Sequence, residues 1–248
     1  MFNLYQIKNL SNEKPVFKPA FPFRDEREAK KALQLVQHYA HHPLHTIWLK
    51  SNKTIFFHPL GAVAYEDVGK FSVVAGDPLV LNLGDEKELF QEFTKYAHSK
   101  NLSVCGYYFS NKFIHELPEF NVYLAGVSRS LKIKQFDLRG YESRDVRRAL
   151  NQGRRSFLKF EEVPQERKLS IHSELSHREE LRLSSRRGPR IGFLLSPVKC
   201  DYPGAKDERW FTVKASGRLQ AFVSVHKYFN KDKPCIYIDH LYQFESGH

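Results

Sequence analysis

The segment "FSVVAGDPLVLNLGDEKELFQEFTKYAHSKNLSVCGYYFS" (71–110) does most to narrow the folds open to this chain. Its first part is a β-rich run broken at Gly76-Asp77-Pro78. Glycine frees φ, aspartate accepts local backbone hydrogen bonds, and proline interrupts strand pairing, so a turn is expected there. Residues 85–100 then place apolar side chains at helical spacing, with Asp85, Glu86 and Glu88 at the start, where the helix dipole favours acids. "LSVCGYYFS" (102–110) reads as a buried strand. Strand, turn, amphipathic helix and strand in one stretch call for a sheet covered by a helix.

The flanking sequence extends this pattern. "RDEREAKKALQLVQHYAHH" (24–42) sets Ala29, Ala32, Leu33, Val36 and Ala40 at helical spacing, and Pro43 is expected to stop the helix. "HTIWLKS", "TIFFHP" and "AVAYEDVG" read as short strands separated by turn residues. Two more strands are expected around 121–126 and 130–137, followed by a helix over 142–155. After Pro164 a second helix is expected to about 184, then a basic loop "RLSSRRGPR" (182–190). A hairpin turning at Ser216-Gly217 and a last strand "CIYIDHLYQF" (235–244) complete the order. Helices and mainly antiparallel strands in two rounds give the α+β class, not alternating βαβ units.

With 41% hydrophobic residues and 14% aromatics, the chain can build a real core. No run approaches the ~18 apolar residues of a membrane span, and the start lacks the apolar core of a signal peptide. Cys105, Cys200 and Cys235 are odd in number and lack metal-type spacing, so a reduced, cytoplasmic protein is expected. "HHPLH" (His41, His42, His45) has no cysteine or carboxylate at a useful short spacing. Cations near helix-end carbonyls explain it better than a metal site, and no metal is expected.

Charge is the strongest functional signal. The net charge is +11, yet residues 1–120 hold 14 Lys/Arg against 13 Asp/Glu. Within 129–160 ten basic residues face three acidic ones. On a helical projection of 142–155, Val146, Ala149, Leu150 and Gly153 share one side. Arg144, Arg148, Asn151 and Arg155 lie opposite, flanked by Arg147 and Arg154. Ordinary surfaces mix charge signs, and the arginine fork suits phosphate, so this face is expected to hold a large anion. Val146, Ala149 and Leu150 are expected to dock the helix. Tyr141 and Phe157 flank it.

These residues carry a resemblance. A strand ending in Gly76-Asp77-Pro78, an acid-led helix and a strand with paired aromatics are similar to the C-terminal domain family of phosphatidylglycerol lysyltransferases. "VRRALNQG" (146–153) resembles that family's basic helix, which follows a short Asp-containing strand, "KQFDL" here. "IGFLLSP", "GRLQAFVSV" and "IDHLY" follow in the family's order, so the resemblance spans roughly residues 40–245.

The resemblance implies tandem GNAT-like (acyl-CoA N-acyltransferase-like) units: an N-terminal extension over 1–24, a first unit over 25–163 and the start of a second over 164–248. The family's second unit continues past the matching strand, so the second unit is expected to be incomplete. The implied activity moves lysine from aminoacyl-tRNA to phosphatidylglycerol, without metal or other cofactor. Acceptor and aminoacyl end meet near the junction of the units. Lysyl-transferring members place an arginine three residues after the strand's aspartate. Here Asp239 is followed by Tyr242, and tyrosine cannot supply a guanidinium fork. The expectation therefore broadens to an unspecified aminoacyl group and a lipid or other amine or hydroxyl acceptor. Aminoacyl-tRNA and anionic phospholipid are the expected partners, with peripheral contact at the membrane.

Asp239 and His240 are the candidate catalytic residues, Asp239 by orienting an ammonium group. On strict alternation Asp239 shares a face with Tyr237 and Leu241, and His240 points the other way. Arg144, Arg147, Arg148, Asn151 and Arg155 are the candidate phosphate contacts. Asp77 and Tyr242 are further substrate-binding candidates, with a turn the stronger reading of Asp77. Two other functions stay open: an acyl-CoA-dependent N-acyltransferase, and a non-catalytic module binding tRNA or anionic membrane. "RRGPR" lacks the multi-glycine pyrophosphate loop of acetyl-CoA enzymes, which weighs against acetyl-CoA.

Overall fold

The computed structural model describes residues 26–50, 53–124, 130–185, 198–230 and 233–244. Helix α1 (Glu26–Tyr39) buries Ala29, Ala32 and Val36, as the spacing predicts. Pro43 does not simply end it. Proline occupies the first turn of a short helix, α2 (Pro43–Ile47), where its missing N–H costs nothing. His42 caps α2 through Nδ1, which accepts from the Leu44 amide at 3.2 Å. The expected strand "HTIWLKS" is therefore replaced by a helical turn.

The first sheet contains β1 (Thr54–His58), β2 (Gly61–Val68), β3 (Phe71–Ala75) and β5 (Ser103–Tyr107) in that order, with β4 (Leu79–Val80) paired to β2. β1–β2 and β2–β3 are antiparallel. β3 and β5 are parallel, joined by helix α3 (Glu86–Ser99). Leu89, Phe90, Phe93 and Ala97 of α3 pack on Val63, Tyr65 and Val74 of the sheet. Phe113, from short helix α4 (Asn111–Ile114), closes this core.

The second sheet is antiparallel throughout: β6 (Lys159–Val163), β7 (Arg209–Ala215), β8 (Arg218–Asn230) and β9 (Lys233–Gln243). The β7–β8 hairpin turns at Ser216-Gly217, both at positive φ, the twist that two-residue hairpin loops prefer. Helix α6 (Gln165–Ser185) lays Ile171 and Leu175 over this sheet, against Trp210, Phe222 and Tyr242. Residues 182–185, expected in a basic loop, belong to α6. Residues 186–197, including "IGFLLSP", lie outside the described residues.

The segment that leads into β7 packs on the core of the first sheet. Tyr202 and Ala205 pack with Ala32, Val36, Trp48 and Leu79. The Phe229 amide donates to the Ala40 carbonyl at 3.4 Å.

Two expectations fail between the sheets. No strand forms at 121–124 or 130–137; a 3₁₀ turn occupies Ile133–Gln135 and residues 125–129 lie outside the described set. Asp137 instead braces a turn, its Oδ1 accepting from the Arg139 amide at 3.0 Å. Helix α5 (Arg144–Arg155) forms where expected, but Val146, Ala149 and Leu150 do not dock it; none of its residues is buried. Polar contacts hold it: Arg147 donates to the carbonyls of Leu138 and Gly140, and Ser143 to that of Asp137.

Gly61 tests the β2–β4 pairing. A Cβ there would lie 2.0 Å from the Leu79 carbonyl oxygen, a backbone atom. Gly61→Ala is expected to destabilise the protein by about 1–3 kcal/mol, measured by chemical denaturation.

Candidate functional site

A buried polar cluster forms where strand alternation breaks. Opposite β8, Ser224 pairs with His240, but Val225 pairs with Ile238. Asp239 is the extra residue of a β-bulge, and a bulge re-aims side chains. Below it Tyr237 and Asp239 face inward; above it His240 and Tyr242 do. The bulge thus turns two consecutive side chains, Asp239 and His240, toward the interior, where strict alternation separates them. The partner strand contributes Ser224 and His226, both buried.

Lys50, fully buried, reaches this cluster from the segment after α2. Its ammonium contacts Glu208 Oε1 at 2.9 Å and pairs with Asp239 Oδ2. His226 Nε2 lies 3.4 Å from Glu208 Oε1 and 3.5 Å from Asp239 Oδ2, close enough for charge but without an aligned hydrogen bond. His240 Nδ1 lies 2.8 Å from Ser224 Oγ and 3.3 Å from Asp239 Oδ2. Tyr202 donates to Glu208 Oε2 at 2.8 Å. Lys168, also buried, donates to the backbone carbonyls of Ala205 and Glu208.

The Lys50 ammonium thus stands against two carboxylates, which is what burial of charge demands. Burial would raise the Asp239 carboxyl, but Lys50, helped by His226 and His240, holds it well below the usual carboxylate range. Burial acts likewise on Glu208, and Lys50 with His226 again outweighs it. Burial would lower the Lys50 ammonium; Asp239 and Glu208 raise it instead.

Glu208, His226 and Asp239 offer donor atoms within 4.8 Å of one another, a spacing one cation could use. The Lys50 ammonium already supplies that positive charge, in contact with both carboxylates.

The other sequence candidates lie in different settings. Tyr242 is buried, packs beside Phe222, His240 and Phe244, and donates to Glu179 Oε1 of α6. Asp77 braces its turn: its Oδ1 accepts from the Ser110 amide at 2.7 Å, and its carbonyl accepts from His45 Nε2 at 2.8 Å. Burial lowers His42 to about 4, against a smaller raising influence from Asp77, and lowers His45 well below its ordinary value, with His41 adding to both effects. These two histidines are therefore neutral near pH 7, not cations at helix-end carbonyls.

Arg144, Arg148, Asn151, Arg154 and Arg155 are exposed on α5. Arg144 stacks on the Tyr141 ring at 4.9 Å and lies 3.4 Å from Asp145. Lys50, Glu208, Ser224, His226 and Tyr202 were not among the sequence candidates. One signal was present: Phe222, Ser224 and His226 alternate on one face of an apolar strand, so two polar residues point inward.

Replacing Lys50 should reverse the pH dependence of stability. In the native protein the carboxylates contribute above about pH 4, and that contribution is lost as pH falls toward their depressed values. Lys50 contributes below about pH 10, and loses this only as pH rises through its raised value. Lys50→Met leaves two buried carboxylates without their ammonium, which costs about 3–5 kcal/mol. Their folded-state values then rise above the unfolded ones, so stability is highest below about pH 4 and falls as pH rises. Denaturation of Lys50→Met at pH 5 and pH 8 should show greater stability at pH 5.

The comparisons agree with this architecture. The profile of the family described as phosphatidylglycerol lysyltransferase, C-terminal, matches residues 33–239. The C-terminal domain of a putative lysylphosphatidylglycerol synthetase from Agrobacterium fabrum superposes with a TM-score of 0.67 at 17% identity, over 89% of this chain and 70% of that one. L-PGS from Bacillus licheniformis gives 0.65 at 16% identity, over 90% and 70%. A conserved protein of unknown function from Bacteroides thetaiotaomicron gives 0.56 at 12% identity, over 83% and 75%. No curated protein sequence matches the chain significantly. The two synthetase structures have the GNAT-like fold, and the two-sheet α+β arrangement here is GNAT-like with them. With the profile matched over residues 33–239, the chain belongs to the phosphatidylglycerol lysyltransferase C-terminal domain family.

Proposed function

We propose that the chain is an aminoacyltransferase, moving an aminoacyl group from aminoacyl-tRNA to a lipid or to another amine or hydroxyl acceptor. Helix α5 carries this reading. It holds Arg144, Arg148, Asn151 and Arg155 exposed, with Asp145 its one acid, in a chain that belongs to this family. Planar guanidinium forks suit tRNA phosphates. Arg147 is already engaged with two backbone carbonyls, so it shapes the 138–140 turn rather than meeting phosphate.

The chemistry needs little beyond positioning, because the ester is activated. The acceptor nitrogen or oxygen attacks the ester carbonyl carbon and loses one proton. The tetrahedral intermediate collapses and expels the ribose hydroxyl of the tRNA. We assign His240 as the base. Ser224 and Asp239 at its Nδ1 orient the ring. Asp239 is a positioning residue in this reading. The ammonium it holds is that of Lys50, which an incoming aminoacyl ammonium would have to displace.

Incubation with radiolabelled aminoacyl-tRNAs and a lipid extract tests the proposal, with label expected in the lipid fraction or another acceptor. Arg148→Glu with Arg155→Glu should weaken tRNA binding and reduce its log–log salt slope by about 1.5. His240→Gln should leave tRNA affinity intact and slow transfer by about 10²–10⁴-fold. No transfer from any aminoacyl-tRNA would overturn the proposal; transfer from acetyl-CoA to an amine instead would replace it with the acyl-CoA reading.

A further inference from the structure

The turn after β5 runs against the local preferences of its sequence. Strands β3 and β5 are parallel and end together, at Ala75 and Tyr107, and the Gly76 amide extends their ladder by donating to the Tyr107 carbonyl at 2.9 Å. The next residue, Tyr108, has φ 65°, a left-handed conformation that ordinarily falls to glycine or asparagine. The residues around it hold it there. Phe109 folds back over Gly106, where a Cβ would lie 2.0 Å from its ring, and packs on Phe90 and Phe113. The Ser110 amide donates to Asp77 Oδ1 at 2.7 Å, and the Ser110 hydroxyl caps α4. Backbone strain fixed in this way by its surroundings gathers at ligand sites.

Four tyrosines gather at this turn. Tyr107 and Tyr108 lie with ring centroids 5.9 Å apart and planes at 41°, and Tyr108 is 37% exposed. His42, neutral near pH 7, meets the Tyr108 ring edge to face at 5.6 Å. The second sheet brings Tyr228 of β8 and Tyr237 of β9. Burial pushes the Tyr237 phenol up to about 12; Asp239 adds to this, and Tyr108 and Tyr107 are near enough to add further. Burial and Cys235 raise the Tyr228 phenol, and Tyr108 again contributes. Tyr237 stands two residues before Asp239, on the same inward side of β9. The tyrosines therefore adjoin the charged cluster and His240.

We propose that these tyrosines, centred on Tyr108, form a stacking platform for a purine base, the base of the 3′-terminal nucleoside of the tRNA. Aromatic faces with hydroxyl rims suit a flat heteroaromatic ring, because the faces stack and the hydroxyls keep hydrogen-bond partners. A purely apolar ligand would cover the hydroxyls and leave them unpaired. The carboxyl ends of parallel strands are also where α/β sheets hold nucleotides. Position selects the nucleoside. Tyr237 and His240 are separated by about 10 Å of strand, which a base, its ribose and the ester on that ribose can span. The proposal rests on the aminoacyl-tRNA reading for the source of the base. It adds the place where the base is held, which the phosphate contacts of α5 leave open. Coenzyme A also carries a purine, so the same platform would serve the acyl-CoA alternative.

The test compares uncharged tRNA with the same tRNA lacking its 3′-terminal adenosine, by filter binding to the full chain. Intact tRNA should bind about tenfold more tightly. Tyr108→Gly removes the ring and accepts the left-handed φ without strain, so its melting temperature should hold or rise. It should abolish the preference for intact tRNA and leave affinity for the shortened tRNA unchanged, which also shows that the variant is folded. Tyr108→Phe keeps the ring and should keep the preference. A preference that survives Tyr108→Gly overturns the proposal, and a melting temperature that falls in the same variant would make the ring a packing group. Titration with coenzyme A separates the two sources of the base. Coenzyme A binding that Tyr108→Gly weakens, with both tRNAs bound equally, keeps the platform and overturns the aminoacyl-tRNA reading. Equal binding of both tRNAs with coenzyme A binding unaffected by Tyr108→Gly overturns the platform itself. A Tyr108-dependent preference without aminoacyl transfer would sink the proposed function and leave the platform standing.

Discussion

The contact of the Lys50 ammonium with Asp239 and Glu208 is the interaction on which the rest depends. Lys50 belongs to the chain before the first sheet, whereas Asp239 comes from β9 of the second and Glu208 from the residue just before β7. Hydrophobic packing also joins these parts, through Tyr202, Ala205 and the α1 face, but packing is tolerant of small shifts. A buried ion pair is not. Its desolvation cost is several kcal/mol per ion, and only close geometry offsets it. The cluster therefore fixes how the two sheets sit, and so where His240 lies.

Much of this fold could be read from the sequence, where local pattern and tertiary outcome agree. The 85–100 helix, the hairpin at Ser216-Gly217 and the α1 spacing each carry their signal within one element. Pro43 was misread because proline has two meanings at a helix boundary, and the His42 cap decided between them. The runs at 121–124 and 130–137 are apolar enough for strands, but a strand needs a partner edge, which no local pattern shows.

The candidate site was half legible. Asp239 and His240 were named, but strict alternation sent them to opposite faces. A bulge is a two-strand property, set by register against Ser224 and Val225, so one strand's sequence hides it. Lys50 was missed for a related reason. Its partners lie 158 residues or more away, and a lysine in "WLKS" gives no local sign that it will be buried. The arginine face of α5 was legible because it is a helical pattern. Its docking by Val146, Ala149 and Leu150 was not, because docking needs a facing surface. The molecule thus pairs a buried, charge-fixed centre with an exposed, two-faced helix.

Carbon-13 NMR of the Asp239 carboxyl across an acid titration tests the central claim most directly. With Lys50 in place, the carboxyl should remain ionised well below about pH 4, until the protein itself unfolds. Titration at or above the ordinary aspartate value in the folded protein would show that Lys50 does not pair with it, and would contradict the account.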